Sequence, residues 1–227
     1  GSIPEGLPAA LTITMSLGMS EMSKHKAIIK KLPAVETLGS TQIICSDKTG
    51  TLTLNKMTVK QIFVPDLLPQ FQDALKKPES KSLPEITIDD FNFTQNLSFK
   101  QFINCMLLCN DSQTKYMDEV LTTVGDPTET ALVHYGYSKG IKKDTLDGAF
   151  PRVDEIPFES GRKLMTTVNL VGDENIAYVK GGIDKIVYKC NYILENEKVR
   201  KITQTDIETI LKVNSLFAST ALRMLGY

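Results

Sequence analysis

The run TQIICSDKTGTLT, residues 41–53, limits the fold more than any other part of the chain. A short apolar stretch, TQIIC, meets an acid and then a turn rich in hydroxyls with a glycine inside it. That pattern reads as a buried strand opening into a Gly-containing turn, where α/β sheets place reactive residues. Asp47 stands at the mouth of this strand, where a carboxylate can attack a phosphorus atom. Lys48 adds positive charge, and Gly50 permits a tight turn. The hydroxyls and amides of the turn, Thr49 among them, can hold phosphoryl oxygens whose charge must be stabilised during transfer. An isolated aspartate at a strand end would fit a plain cap equally well.

Upstream, residues 3–19 (IPEGLPAALTITMSLGM) are nearly all apolar or small, broken by Pro4 and Pro8, with one charge at Glu5. The stretch falls short of the roughly 20 apolar residues a spanning helix needs. It also lacks the basic start and cleavage site of a signal peptide. It reads as the second half of a membrane helix, or alternatively as a buried helix of a soluble core. Lys24, Lys26, Lys30 and Lys31 follow at once. Basic residues in that place mark the cytosolic side of a membrane segment, although a solvated helix face would look the same. A carboxylate at membrane depth is costly, which makes a functional role the default for Glu5.

Further on, MTVKQIFV (57–64) alternates and predicts a strand. Residues 65–98, with four prolines and a Lys/Ser/Glu cluster, predict surface connections. SFKQFINCMLLC (about 98–109) predicts a helix ending near Asn110-Asp111-Ser112. Asp126-Pro127-Thr128-Glu129 predicts another, with an N-cap acid, a proline in the first turn and a glutamate placed for a capping box. VDEIPF, KLMTTVNLV and NIAYVKG read as strands, followed by a helix from about Ile183 to Cys190. Thr205-Asp206-Ile207-Glu208 predicts a capping box opening a helix to about Thr220, and LRMLGY predicts the start of a further strand.

Composition then excludes several functions. With 41% hydrophobic and 23% charged residues the chain is globular, and its net charge of -1 gives no field or basic stripe for nucleic acid. Cys45, Cys105, Cys109 and Cys190 form no CxxC pair and suit a reducing compartment. Cys105 and Cys109 lie one helical turn apart, which predicts buried core thiols rather than half of a metal site.

The whole of DKTGTLT, Asp47 to Thr53, resembles the phosphorylation motif of P-type ATPases. IPEGLPAALT resembles the broken fourth membrane helix of these pumps, and LPAVETLGSTQIICSDKTGTLTLNKMTV its continuation. LLCNDS, GDPTETAL, FESGRKLM and YVKGG follow in the order of nucleotide-domain landmarks of the calcium-type members. The resemblance spans nearly the whole chain and is weakest across 65–98. It implies an α+β nucleotide-binding domain, an antiparallel sheet flanked by helices. This domain is inserted in a haloacid-dehalogenase-like α/β phosphorylation domain, of which only the first part is present. The implied divisions are a half membrane helix and cytosolic stalk at 1–31, the first phosphorylation-domain segment at 32–60, and a C-terminally incomplete nucleotide domain at 61–227.

By the same resemblance Asp47 accepts the phosphate of ATP. Asp47 and Thr49 hold Mg2+, Thr49 through its carbonyl. Phe158 stacks on adenine, unless it is a core residue of its strand. Lys163 and Lys180 line the pocket, and Gly181 and Gly182 leave room for the base. Glu129 contacts nucleotide or merely completes a capping box, and Arg223 reaches the phosphates or is a surface residue. Glu5, flanked by prolines as in calcium-type members, is the expected cation ligand. The implied partners are ATP and a transported cation, Ca2+, with Na+ as the competitor. A multi-pass membrane parent would carry this region mostly on its cytosolic side. The family's TGDGxxD run and the lysine near the phosphate are not in these 227 residues, so this chain alone is expected to bind nucleotide rather than turn it over. A nucleotide-binding module without catalysis and a soluble phosphatase of the haloacid-dehalogenase kind remain as other readings.

Overall fold

The computed structural model of the chain describes residues 6–77, 83–84, 96–117 and 120–227. Two compact units meet in sequence at Leu54 and Asn55. Pro4 and Glu5 lie outside the described residues, as does most of the segment between Pro78 and Thr94.

The first unit begins with helix α1 (Leu7–Lys24), which has a proline in its first turn and no buried residue. Thr12, Thr14 and Ser16 return their hydroxyls to the carbonyls of Pro8, Ala10 and Thr12 at 2.8, 2.9 and 2.8 Å. Leu7, Leu11, Ile13 and Leu17 are exposed. These three hydroxyls are satisfied within the helix. Its 18 residues rise about 27 Å, and no helix among the described residues is long and apolar enough to cross a membrane. After α2 (Pro33–Gly39) the expected buried strand TQIIC does not form, and Ile43 and Ile44 are each 80% exposed. The reason is geometric. A strand is defined by its ladder partners, and the first unit offers no other strand among its described residues. The turn that follows does form: Lys48–Leu52 makes one wide helical turn, closed by the Thr53 amide donating to the Lys48 carbonyl at 3.2 Å. Gly50 sits inside it at φ +76°, where a side chain would be strained.

The second unit holds the packed core. Residues 57–64 form no strand ladder. Their alternation is one of burial, because Ile62 and Val64 enter two separate clusters. A helix, α3 (Leu68–Lys76), lies where surface connections were expected. Phe71 on it is fully buried, edge-on to Phe63 and Phe217 at 5.3 and 5.5 Å between ring centres. Helices α4 (Leu97–Leu108) and α5 (Pro127–Ser138) pack as closely as a glycine allows, since a Cβ on Gly136 would lie 2.8 Å from Leu107. Between them, β1 (Gln113–Met117) and β2 (Val120–Val124) form a hairpin. The short α6 (Lys143–Ala149) follows α5.

The main sheet is an antiparallel meander of β3 (Arg152–Glu159), β4 (Leu164–Val171) and β5 (Glu174–Gly181). Gly172, at φ +63°, opens the two-residue loop between β4 and β5. One face carries Met165 and Tyr178 onto Leu108 and Cys109. The buried Thr167 and Asn169 on that face donate to the carbonyls of Leu108 and Phe150 at 3.4 and 2.8 Å. This agrees with the α+β expectation of helices against an antiparallel sheet. Helix α7 (Ile183–Ile186) then runs into a 3-10 turn at Val187–Lys189. The hairpin β6 (Tyr192–Glu195) and β7 (Lys198–Lys201) turns through Asn196 and Glu197, both at positive φ.

The last helix, α8 (Gln204–Ser219), starts two residues before the expected place. Its capping box joins Thr203 to Asp206, the Thr203 amide donating to the Asp206 carboxylate at 2.8 Å. Arg200 grips the same carboxylate at 2.6 and 2.9 Å, which settles the register. LRMLGY contributes one bridge rather than a strand, with Gly226 pairing to Gly181.

Candidate functional site

Strand register brings most of the candidate residues of the second unit to one end of the main sheet. Glu159 pairs with Leu164, Leu164 with Gly181, and Met165 with Lys180. Phe158 and Lys163 therefore flank the β3–β4 turn, and Lys180 and Gly181 end β5 beside it. Gly226 extends the same row by two hydrogen bonds to Gly181, at 3.0 and 2.7 Å. Lys163 is held at φ +56°, an uncommon conformation for a lysine, and its carbonyl accepts from the Gly182 amide at 3.2 Å. A Cβ on Gly181 would sit 2.2 Å from that carbonyl oxygen, so the turn can close only over a glycine. Gly182 caps α7.

Phe158 is not a core residue. Its ring is 61% exposed, because β3 is the edge strand and lies almost wholly outside the packed layer. Lys180, on the opposite edge, points to the helices and is buried. Its ammonium is paired with the Glu129 carboxylate, itself only 15% exposed. The other oxygen of Glu129 accepts from the Asp111 amide at 3.0 Å. The expected capping box at α5 is thus only half made. Asp126 accepts from the Thr128 amide at 2.8 Å as N-cap, but Glu129 turns away to Lys180.

Partial burial works against the charge of Asp126, yet hydrogen bonds from Thr128 and the Glu129 amide, with Arg223 nearby, hold its carboxyl below the usual range. Arg223 is exposed. Cys105 and Cys109 are thiols of this layer, their Sγ atoms donating to the carbonyls of Val179 and Met165 at 3.6 and 3.7 Å. Burial pushes the Cys105 thiol up to about 12 and raises that of Cys109 as well.

Sequence reasoning named the loop after α4 only as the landmark LLCNDS and missed its contacts. Asn110 donates to the Glu129 carbonyl at 3.0 Å and accepts from the Ser112 amide at 2.9 Å. Arg152, at the start of β3, donates to the carbonyls of Leu108 and Asn110 at 3.1 and 3.0 Å and to the Asp111 carboxylate at 2.8 Å. The signal available was a helix ending on three consecutive polar residues, Asn110-Asp111-Ser112. Nothing in the sequence pointed to Arg152.

In the first unit Asp47 is exposed at the entrance to the wide turn, with the Ser46 hydroxyl donating to its carbonyl at 3.2 Å. Lys48 is exposed beside it. Mg2+ takes one or two carboxylates and keeps several waters. Asp47 is one such carboxylate, but no group of three or more His, Cys, Asp or Glu side chains gathers for a metal among the described residues. The described residues do not by themselves close a Mg2+ site.

Residues 98–227 match the family profile of the P-type ATPase cytoplasmic domain N. The chain is 41% identical to calcium-transporting ATPase 1 of Lactococcus lactis, over 100% of its own length and 23% of that protein. It is 39% identical to calcium-transporting ATPase 1 of Bacillus cereus, again over 100% of the chain and 23% of the relative. It is 37% identical to the cation-transporting ATPase pma1 of Synechocystis, over 91% of the chain and 23% of that protein. The chain thus spans about a quarter of the length of these curated relatives.

Proposed function

The chain belongs to the P-type cation-transporting ATPases, and from that premise we propose that its second unit binds ATP for a cation pump whose phosphate acceptor is Asp47. The observation that carries the nucleotide part is the exposed ring of Phe158, set at the sheet end where Lys163, Gly181 and the buried Glu129–Lys180 pair meet. A flat apolar ring held half out of the protein suits stacking on adenine. Lys180 is neutralised by Glu129, so the pair suits the edge of the base better than the triphosphate. The exposed cations Lys163 and Arg223 suit the phosphates, the latter with a guanidinium fork.

In the transfer step a carboxylate oxygen of Asp47 attacks the γ-phosphorus, the bond to the β,γ-bridging oxygen breaks, and ADP leaves. Water later cleaves the acyl phosphate. Mg2+, held in part by Asp47 and Thr49, would offset the charge of the phosphoryl oxygens. In this reading residues 32–60 open a haloacid-dehalogenase-like phosphorylation domain, and residues 61–227 are its insertion. By the same reading the region lies on the cytosolic side of a membrane, which the lysines after helix α1 support. The transported ion is Ca2+, in keeping with the names of two relatives, and Glu5 is its ligand in this reading. Na+ is the competitor.

Calorimetric titration of ATP into the 227-residue chain and its Phe158→Ala variant tests the site. A loss of about tenfold or more is expected, since base–aromatic stacking contributes about 1–3 kcal/mol. Unchanged affinity would move the adenine elsewhere. For the ion, ATP hydrolysis by the full-length pump is measured against free Ca2+ and Na+, with Glu5→Gln as control. Turnover driven by Na+ and indifferent to Ca2+ chelation would overturn the calcium assignment.

A further inference from the structure

The Glu129 carboxylate is held by a part of the molecule that does not itself face the proposed nucleotide. One oxygen meets Lys180. The other is fixed by the Asp111 amide at 3.0 Å, and an amide can aim at a carboxylate only if its own peptide is fixed. The loop Cys109–Ser112 supplies no regular structure to do this. Arg152 does it instead. Its guanidinium takes the carbonyls of Leu108 and Asn110, on either side of Cys109, with one nitrogen, and the Asp111 side chain with the other. Glu155 holds that second nitrogen from behind at 2.7 Å. The carbonyl of Asn110 belongs to the same peptide plane as the Asp111 amide. Orienting the carbonyl therefore orients the N–H that grips Glu129.

Resting on the nucleotide reading given above, we propose that Arg152 is a positioning residue for the nucleotide pocket, acting through the Asn110–Asp111 peptide to fix Glu129 and, through it, Lys180. Only a planar fork of donors can hold two carbonyls and a carboxylate in one plane. A lysine at this position would keep the charge and lose the alignment. The bland alternative is that Arg152 merely caps the end of α4, where cations are favourable. A cap would affect stability without being coupled to Glu129.

The test uses the 227-residue chain with Arg152→Lys, Glu155→Gln, Glu129→Gln and the double variant Arg152→Lys/Glu129→Gln. Two properties are read: the proton shift of the Asp111 amide without nucleotide, and ATP affinity by calorimetry. The Asp111 amide proton should move upfield in Arg152→Lys, as its bond to the carboxylate loosens. ATP affinity should fall about tenfold, with the melting temperature changed little. The double variant should bind no more weakly than Glu129→Gln alone, because residues acting in series are not additive. Glu155→Gln, which loosens the hold on the guanidinium, should show the same amide shift to a smaller degree. An unmoved Asp111 resonance in both Arg152→Lys and Glu155→Gln, or additive losses of affinity, would overturn the proposal. Failure of the unmodified chain to bind ATP would instead remove the nucleotide reading, while the amide shift would still decide whether the clamp exists.

Discussion

The two units divide the chemistry and the packing unequally. The first, Gly1–Leu54, carries the proposed phosphate acceptor, yet neither of its helices contains a buried residue. The second, Asn55–Tyr227, carries the proposed nucleotide site and three clusters of buried apolar residues. Sequence signal and packing are therefore separate properties. DKTGTLT is the most distinctive run in the chain, and its wide turn forms from local hydrogen bonds without a core beneath it. The nucleotide site is spelled by scattered residues, and only tertiary packing brings them together.

The sharpest way to break this contrast is to cut into both units equally. Phe71→Ala, at a fully buried ring between Phe63 and Phe217, is expected to cost the second unit about 3–5 kcal/mol. Ile43→Ala and Ile44→Ala, at side chains 80% exposed, should stay within about 0.5 kcal/mol. Denaturant titration followed by far-ultraviolet circular dichroism, which reads the helices of both units, would check this. A comparable loss from Ile43→Ala would mean the first unit has a core after all.

A smaller effect is expected at Gly181, where the comparison turns from stability to function. Gly181→Ala forces a methyl against the Lys163 carbonyl, 2.2 Å from where the Cβ would stand. Relief requires the β3–β4 turn to move, at a cost of about 1–3 kcal/mol, and Lys163 moves with it. ATP affinity should fall together with stability. In the first unit, Gly39→Ala meets nothing within 4 Å and should change neither.

The thiols give the gentlest test. Cys45 of the first unit is exposed, whereas Cys105 and Cys109 are held in the sheet–helix layer with raised pKa values. At pH 8 a thiol reagent should label Cys45 quickly, and Cys105 and Cys109 only on unfolding. The folded state keeps the Cys105 proton up to about pH 12, while an unfolded thiol loses it near pH 8.5. The stabilisation is therefore complete below about pH 8.5 and is lost as pH rises toward 12. Cys105→Ser should flatten the alkaline limb of the stability curve, and an unchanged limb would reassign it.

What could be read in advance follows the same division. Helices α4 and α5 were legible because their ends are marked locally, by Asn110-Asp111-Ser112 and by Asp126-Pro127. The meander was legible because its strands alternate. The strand at TQIIC was misread because an apolar run specifies burial but not a partner. Helix α3 was missed because four prolines obscured the spacing of Leu67, Phe71 and Leu75. At the site, Phe158, Lys163, Lys180 and Gly181 were named from the order of their motifs. The partner of Glu129 and the role of Arg152 depend on residues far apart in sequence, which no local pattern encodes.

The Arg152 clamp also has a consequence in time. The β4–β5 hairpin turns through two residues, and such units close in about 1–10 μs. The bond from Arg152 to the Leu108 carbonyl closes a span of 44 residues, and contacts of that reach wait for the intervening elements to collapse. During refolding the strands bearing Phe158 and Lys180 should therefore exist before Glu129 is locked in place. Competence to hold a nucleotide should be the last property the second unit acquires, later than its helical signal and later than burial of its aromatic rings.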